Sequence, residues 1–432
     1  MIDFGTAFIG FIIMLALMLT GISIAASLFL TAALGALLYL GVPTLMSFGN
    51  TMWGALNDFI LTCIPLFILL GEILVRAGVT DRMYRSLAGW LSRLPGGLLH
   101  TNIVSCSIFA AISGSSVATA ATIGTVALPA LKERKYDEKL VLGSVAAGGT
   151  LGILIPPSIN MIVYGAITNT SIGKLFIAGI VPGLLLAAMF MLAIILFSVI
   201  RPSVAGTKED LAPLSERLRD LCGLIPPGLV FFVVMGGIYM GWATPTEAAA
   251  IGVVMSLLVA AWYRKLSFAM LHESFLAATR TTAMVLLIIL GAFFLNYVVG
   301  MLGVPQAVSN YVATLGTTPI ETIWILVVLY IILGCFLETL SMMIATVPVI
   351  VPLVVSLGFD PVWFGIFLVI MMELSLITPP VGMNLYVVQG IRGRGSIADV
   401  IRGSLPFVLI MLLLVALIIY FPGIALWLPS KL

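Results

Sequence analysis

Four short runs hold the residue types that could do chemistry in this chain: Ser113-Gly114-Ser115-Ser116, Ile155-Pro156-Pro157-Ser158, Glu338-Thr339-Leu340-Ser341 and Thr378-Pro379-Pro380-Val381-Gly382. Each lies within a long apolar stretch. Serine and threonine supply hydroxyl oxygens. Glycine and paired prolines interrupt a helix and leave backbone carbonyls without intrahelical donors. Converging hydroxyls and carbonyls suit a small hard cation, and none of the four runs contains a Lys or Arg to repel one. At membrane depth such breaks are tolerated only where they face protein or a polar cavity. Midplane cavities lined by broken helices are how secondary transporters hold ions and solutes.

The candidate cation ligands are Ser113, Gly114, Ser115, Gly152 and Pro156 in the first half, and Glu338, Thr339, Ser341, Thr378 and Gly382 in the second. Each half would make one site. The helix N-termini that follow the breaks offer free N–H groups and partial positive charge, which suit a carboxylate. The candidate solute-binding residues are Ser115, Ser116, Pro157, Ser158, Asn160, Thr339, Pro380 and Asn384. The competing role for the serines is small-residue helix packing. For the proline pairs it is a simple kink, but two adjacent prolines lose two donors and favour unwinding. Four acidic residues differ in setting. Glu72 and Arg76 are four apart on one helix and are expected to pair. Glu247 follows Thr244-Pro245-Thr246 and is expected to cap a helix. Glu338 and Glu373 lie deeper, where carboxylates are functional suspects.

An enzymatic role finds little support. A buried serine nucleophile needs a base, and the two histidines, His100 and His272, are placed by the apolar pattern at interfaces. There is no HExxH and no G-x-x-x-x-G-K-[ST], so the chain does not hydrolyse ATP in the P-loop manner. Cys63, Cys106, Cys222 and Cys335 are far apart and show neither metal spacing nor a disulfide framework.

The elements that must position these residues follow from composition. The 432 residues are 61% hydrophobic and only 9% charged, with a mean hydropathy of +1.23. Soluble domains carry roughly 25% charged residues. The chain is therefore an all-α polytopic membrane protein, with the lipid bilayer as its partner and no nucleic acid expected. The N-terminus has no basic n-region or A-x-A-like cleavage site, so Met1 is expected to start a spanning helix. Apolar segments fall at 5–20, 22–41, 56–77, 98–131, 140–166, 174–200, 223–241, 245–263, 281–303, 318–357, 362–391 and 403–428. Two of them, 98–131 and 318–357, are too long for one crossing at about 1.5 Å per residue and are interrupted near the middle. They read as re-entrant hairpins, and the other ten as crossings.

Threading that topology puts Arg76, Arg82, Arg85, Arg93, Lys132, Arg134, Lys135, Lys139, Arg201, Lys208, Arg217, Arg219, Arg264, Lys265, Arg280, Arg392, Arg394 and Arg402 on one side. Of the 20 Lys and Arg, Lys174 and Lys431 alone fall on the other. Basic residues accumulate on the cytoplasmic side. Both termini are then periplasmic, the first hairpin enters from the cytoplasm and the second from outside.

The two halves repeat. Gly21 aligns with Gly241 and Gly71 with Gly291 at a shift of 220; Pro129, Pro156 and Pro157 align with Pro352, Pro379 and Pro380 at 223; Asn160 and Pro182 align with Asn384 and Pro406 at 224. Five crossings per half make the second copy enter upside down, an inverted repeat. The charged segment 201–220 is the expected connector. Segment 81–97 alternates arginines with Met83, Leu87, Trp90 and Leu94 and reads as an amphipathic helix in the cytoplasmic interface.

The run from Ser113 through Pro129 resembles the large membrane subunit of tripartite ATP-independent periplasmic (TRAP) transporters. So do Gly152-Ile-Leu-Ile-Pro-Pro-Ser158, Arg76-Ala-Gly-Val-Thr-Asp-Arg82, Leu94-Pro-Gly-Gly-Leu98 and Thr378-Pro-Pro-Val-Gly-Met-Asn384. The likeness spans the chain in order; Ala130-Leu131 after Pro129 departs from it mildly. The resemblance implies a subunit of the bacterial inner membrane that imports an organic acid, such as a C4-dicarboxylate or sialic acid, coupled to two or more Na+ ions. It implies two partners, a small four-helix membrane (Q) subunit and a periplasmic solute-binding (P) protein. It also implies similarity to the elevator-type ion transporters. By that analogy 98–166 and 318–391 are the transport-domain hairpins and broken helices. Segment 1–97 holds scaffold helices and the interfacial arm, 167–222 a scaffold helix and the connector, 223–317 scaffold helices and the second arm, and 392–432 a scaffold helix. The alternative is a one-component ion-coupled anion transporter or channel.

Overall fold

The computed structural model describes residues 2–206 and 213–431, and every regular element among them is helical. Lys208, one of the residues counted toward orientation, lies outside the described residues. The first half contributes α1 (Phe4–Leu19), α2 (Ile24–Gly35), α3 (Cys63–Arg76), α4 (Val79–Leu91), α5 (Leu98–Ser113), α6 (Ser116–Glu133), α7 (Glu138–Gly149), α8 (Ile159–Thr168) and α9 (Ile172–Ile200). The second contributes α10 (Ile225–Tyr239), α11 (Pro245–Trp262), α12 (Phe268–Leu302), α13 (Val304–Thr314), α14 (Pro319–Gly334), α15 (Thr339–Ser356), α16 (Pro361–Ser375), α17 (Met383–Arg392) and α18 (Ile397–Tyr420).

The internal repeat is written in the helix ends. Gly78 and Gly303 both stand in the left-handed region, at φ 74° and 73°, before α4 and α13. Asp137 and Asp360 both cap the helix that follows with a side-chain oxygen, and so do Ser171 and Ser396. The Pro156-Pro157 and Pro379-Pro380 bonds are both cis. These pairs keep shifts of 223 to 225, close to the register of the proline alignment.

Both over-long apolar runs fold back. The Leu98 N–H donates to Tyr136 Oη at 3.1 Å, bringing the start of α5 to the end of α6. Tyr330 Oη donates to Thr346 Oγ1 at 3.0 Å, joining α14 to α15. By length and composition, 8 described helices or helix runs could cross a bilayer, 9 if α13 and α14, bent by 117°, count as one. The sequence gives ten crossings. The difference lies mainly in α1, α2 and α16, which are shorter than 18 residues. α16 is short because the proline break stops it, and the chain continues in α17. α15, expected as a hairpin arm, is long enough to span by itself.

Packing sorts the helices into two groups. α3 packs on α11 and α12, α12 on α2, and α10 on α11. In the other group α7 packs on α5, α6 and α18, and α16 on α14 and α15. Here α9 and α18 depart from the sequence division, which placed 167–222 and 392–432 with the scaffold. α9 packs on α5, α8, α16 and α18. α18 meets α7 at backbone distance: a Cβ on Gly143 would fall on the Gly403 carbonyl, and one on Gly403 would fall on the Lys139 carbonyl. Lipid tails are as apolar as leucine, so membrane helices associate through such close packing. Trp363 Nε1 of α16 also donates to the Ile418 carbonyl of α18 at 3.1 Å. These contacts join residues far apart in sequence, which linear segmentation does not see.

α4 is amphipathic as its arginines suggest, but it runs from 79 to 91 rather than 81 to 97, because Ser92–Gly97 turn into α5. Val79, Met83, Tyr84 and Leu87 are buried, while Arg82 and Arg85 are exposed. Tyr84 Oη donates to Asn102 Oδ1 at 2.8 Å, and Asn102 Nδ2 to Ser144 Oγ at 3.0 Å, tying α4 through α5 to α7. His100, expected at an interface, is fully buried and its Nε2 pairs with the Pro95 carbonyl at 2.7 Å. The connector contains a helix, Leu214–Leu221, that docks on α4: Ser86 Oγ donates to the Asp220 carbonyl, and Trp90 Nε1 to the Arg217 carbonyl at 3.3 Å.

Candidate functional site

Glycines allow the first hairpin tip to sit in the first break. Gly114 ends α5 at φ 60°, and an added Cβ there would lie 2.9 Å from the Pro157 carbonyl oxygen. A Cβ on Gly152 would lie 2.6 Å from Ser116 Cα and 2.7 Å from the Ser115 carbonyl. On the far side, a Cβ on Gly71 of α3 would approach the Ile112 carbonyl to 3.3 Å. The chain is unwound here: Ile155 is extended at φ −84°, ψ 119°, and Ser158 at φ −133°, ψ 126°. Pro156 and Pro157 have no N–H, so the Gly152 and Ile153 carbonyls lack their fourth-residue donors.

The hydroxyls at this tip have differing partners. Ser115 caps α6 through the Ala118 N–H at 3.4 Å, and Ser158 caps α8 through the Met161 N–H at 3.4 Å. Ser113 Oγ lies 2.9 Å from Thr119 Oγ1. Ser113 and Ser115 are partly exposed. Ser116 is fully buried and points elsewhere, donating to Glu373 Oε1 at 2.6 Å and Oε2 at 2.7 Å. The first tip therefore meets the second half through α16.

The second tip repeats the arrangement with different side chains. Gly334 has no room for a Cβ against Ser375, and Cys335 Sγ donates to the Pro379 carbonyl at 3.3 Å. Glu338 is the N-cap of α15; its carboxylate accepts from Thr339 Oγ1 at 2.9 Å and from the Ser341 N–H and Oγ at 3.3 Å each. One of the four N-termini expected to receive a solute carboxylate is thus already covered by the chain's own. Thr378 Oγ1 donates to the Leu374 carbonyl at 2.7 Å. Gly382, at φ 53°, precedes α17 and offers no side-chain cap. Pro380 is exposed.

The repeat-related asparagines are both buried. Asn384 Nδ2 donates to the Ala146 carbonyl of α7 at 3.2 Å, a second link between halves, and its Oδ1 has no protein partner. Asn160 Nδ2 has none either. Buried amide atoms are normally paired, so these two are available to a ligand or water. Three sequence expectations outside the breaks also have structural counterparts. Glu72 pairs with Arg76, which also lies 3.7 Å from Glu273; Thr244 and Glu247 form a capping box; and all four cysteines are free. The Ser116–Glu373 pair was missed. Both residues carry a signal, one in a break and one an intramembrane acid, but nothing local joins positions 257 apart.

Comparison with known proteins decides the family. Residues 11–424 match the family described as "Tripartite ATP-independent periplasmic transporter, DctM component". The chain belongs to this family. It is 36% identical over 406 residues to the C4-dicarboxylate TRAP transporter large permease protein DctM of Pseudomonas aeruginosa, covering 94% of each chain. It is 31% identical over 422 residues to the sialic acid TRAP transporter large permease protein SiaM of Vibrio cholerae, covering 96% of each. Its fold is similar to that of the Alcanivorax borkumensis YdaH transporter, with a TM-score of 0.66 at 14% identity over 94% of this chain. The protein is thus a TRAP solute-transporter large permease, a polytopic membrane protein of a transporter family rather than an enzyme family. Membership implies association with a periplasmic binding protein and, as a rule, a small membrane subunit.

Proposed function

We propose that this permease couples inward movement of Na+ to import of an organic acid, a carboxylate such as a C4-dicarboxylate or sialic acid, received from a periplasmic binding protein. The relatives named above carry solutes of these two kinds. The observation that carries the reading is the seating of each hairpin tip against the paired-proline break of its own half. Each pairing gathers backbone carbonyls and hydroxyls without a Lys or Arg in the tip or break. A small hard cation takes such oxygens, as carbonyl-lined ion sites do. The cations are transported substrates here, one at each break. The solute carboxylate is received at the N-terminus of α17, where Gly382 supplies no side-chain cap, with Asn160 Nδ2 as a further donor and Asn384 Oδ1 as an acceptor for a solute hydroxyl.

The movement is of elevator type. The body that slides comprises α5 to α9 and α14 to α18. This reading revises the division drawn from sequence, because separating α18 from α7 would break the Gly143–Gly403 backbone contact. The group of α1 to α3 and α10 to α12 stays fixed, and both ends of the chain lie on the periplasmic side.

The deciding experiment is uptake into proteoliposomes holding the large permease, the small subunit and the binding protein, with and without an inward Na+ gradient. The expected result is solute accumulation that needs the gradient and all three proteins. Equal uptake without Na+ removes the coupling. Robust uptake by the large permease alone favours a one-component transporter.

A further inference from the structure

A groove of about 1110 Å³ lies between α4, the connector helix, the start of α10 and the end of α11. It is larger than the roughly 300–1,000 Å³ of a small-molecule site, and its two ends differ in chemistry. At one end stand Arg82 and Arg85 of α4 and Arg219 of the connector helix, with Asp220 the single carboxylate. Among the described residues none of the three guanidinium groups forms an ion pair. Arg82 instead lies over the Tyr263 ring, 4.3 Å from its centroid, and Arg85 Nε donates to the Asp81 carbonyl at 3.3 Å. Along the rest of the groove run Ile225, Leu229, Leu258 and Trp262. All four side chains are exposed, Trp262 at 83%, so this wall opens sideways from the helices.

The depth of the groove is marked by sequence. Trp262-Tyr263 is followed at once by Arg264-Lys265 at the end of α11. Aromatic residues followed by basic ones mark the headgroup level, and this is the side on which the basic residues collect. Unpaired cations at headgroup depth above an apolar wall fit a molecule with a phosphate at one end and hydrocarbon at the other. Basic pockets between membrane helices on this side bind anionic lipid headgroups.

We propose that this groove is a binding site for an anionic phospholipid, with its phosphate among Arg82, Arg85 and Arg219 and its acyl chains along Ile225, Leu229, Leu258 and Trp262. A free phosphate would gain nothing from the apolar wall, and a neutral lipid nothing from the three guanidinium groups. The lipid touches α4, which is tied to α7 through Tyr84, Asn102 and Ser144, and also α10 and α11 of the other packing group. It therefore bridges the two groups of helices.

The test uses the full-length permease, purified in neutral detergent and delipidated. Native mass spectrometry and the thermal unfolding midpoint are read with phosphatidylglycerol, phosphatidylcholine or inorganic phosphate added. The expected result is one phosphatidylglycerol retained in preference to phosphatidylcholine. Arg82→Gln/Arg85→Gln/Arg219→Gln should weaken that binding by roughly 100-fold, given the usual contribution of a basic residue at an anionic surface. Lys132→Gln/Lys135→Gln/Arg402→Gln, an equal loss of charge on the same side and away from the groove, should leave it unchanged. Arg219→Gln alone, on the exposed connector helix, should weaken it roughly 5-fold and serves where the triple variant does not fold. Equal retention of the two lipids overturns the proposal, as does equal loss in the control. Stabilisation by phosphate alone would make it an inorganic-anion site. Displacement of the lipid when the small subunit is added would make the groove that subunit's seat.

Discussion

Ser116, the first residue of α6, donates its hydroxyl to both oxygens of Glu373, 257 positions away on α16, at 2.6 and 2.7 Å. Both residues are fully buried. A carboxylate at this depth is costly unless its oxygens find donors. The bond therefore does two things. It gives the buried acid a donor, and it ties the first hairpin tip to the second broken crossing.

Replacing one partner should consequently cost more than replacing both. Ser116→Ala should lower the thermal midpoint of the purified permease by the equivalent of about 1–3 kcal/mol, the cost of an unsatisfied buried group. Glu373→Met removes the acceptor and the buried acid together. In the Glu373→Met background, Ser116→Ala should lose less than in the wild type, with a coupling of about 0.5–3 kcal/mol. Additive losses would mean that the bond does not hold the halves together.

The sodium dependence of uptake separates the remaining hydroxyls. Ser115 and Thr378 are partly exposed beside the breaks and make only local bonds. Ser115→Ala and Thr378→Ala should each raise the Na+ concentration for half-maximal uptake about tenfold, the effect of losing about 1.4 kcal/mol of ligand. Abundance should stay near normal. Lower abundance with an unchanged Na+ curve would assign both hydroxyls to packing, and the sites would then consist of carbonyls.

What the sequence shows follows from which signals are local. Proline pairs, Gly21 with Gly241 and the basic residues are all readable along the chain. They carry the helical class, the repeat and the two folded-back hairpins. The Thr244–Glu247 cap and the Glu72–Arg76 pair span three and four residues and are equally legible. Partnerships across the halves are not. The bond of Ser116 to Glu373 joins positions 257 apart, and no pattern along the chain points to it. The grouping of α18 with α7 depends on two glycines meeting face to face, and neither carries a mark distinguishing it from the other 40 of the chain's 42 glycines.

Orientation rests on charge and is tested by labelling. Cysteines placed at Lys135, in the turn after α6, and at Ser356, at the end of α15, are exposed positions at the open ends of the two hairpins. The exposed Cys222 is first replaced by serine. A membrane-impermeant maleimide should reach Lys135→Cys only from the cytoplasm and Ser356→Cys only from the periplasm. Labelling of both from one side would remove the inverted arrangement of the hairpins.

Two glycines with no room for a methyl group make the sharpest prediction about stability. Gly143 of α7 and Gly403 of α18 let two backbones touch, and neither has space for a methyl group. Gly236 of α10 and Gly300 of α12 have nothing within 4 Å of the added Cβ position. Alanine favours a helix over glycine by about 0.8–1 kcal/mol, so propensity alone would stabilise all four variants. At Gly236 and Gly300 that is the only effect, and Gly→Ala should leave the thermal midpoint unchanged or slightly higher. At Gly143 and Gly403 the methyl group meets a carbonyl that belongs to a packed helix and cannot swing aside as a side chain would. Overpacking costs about 1–3 kcal/mol even against side chains, which outweighs the propensity gain. Gly143→Ala and Gly403→Ala should therefore lower both the midpoint and the abundance of the permease. Wild-type midpoints in both would show that α7 and α18 can part, and would return α18 to the fixed group of helices.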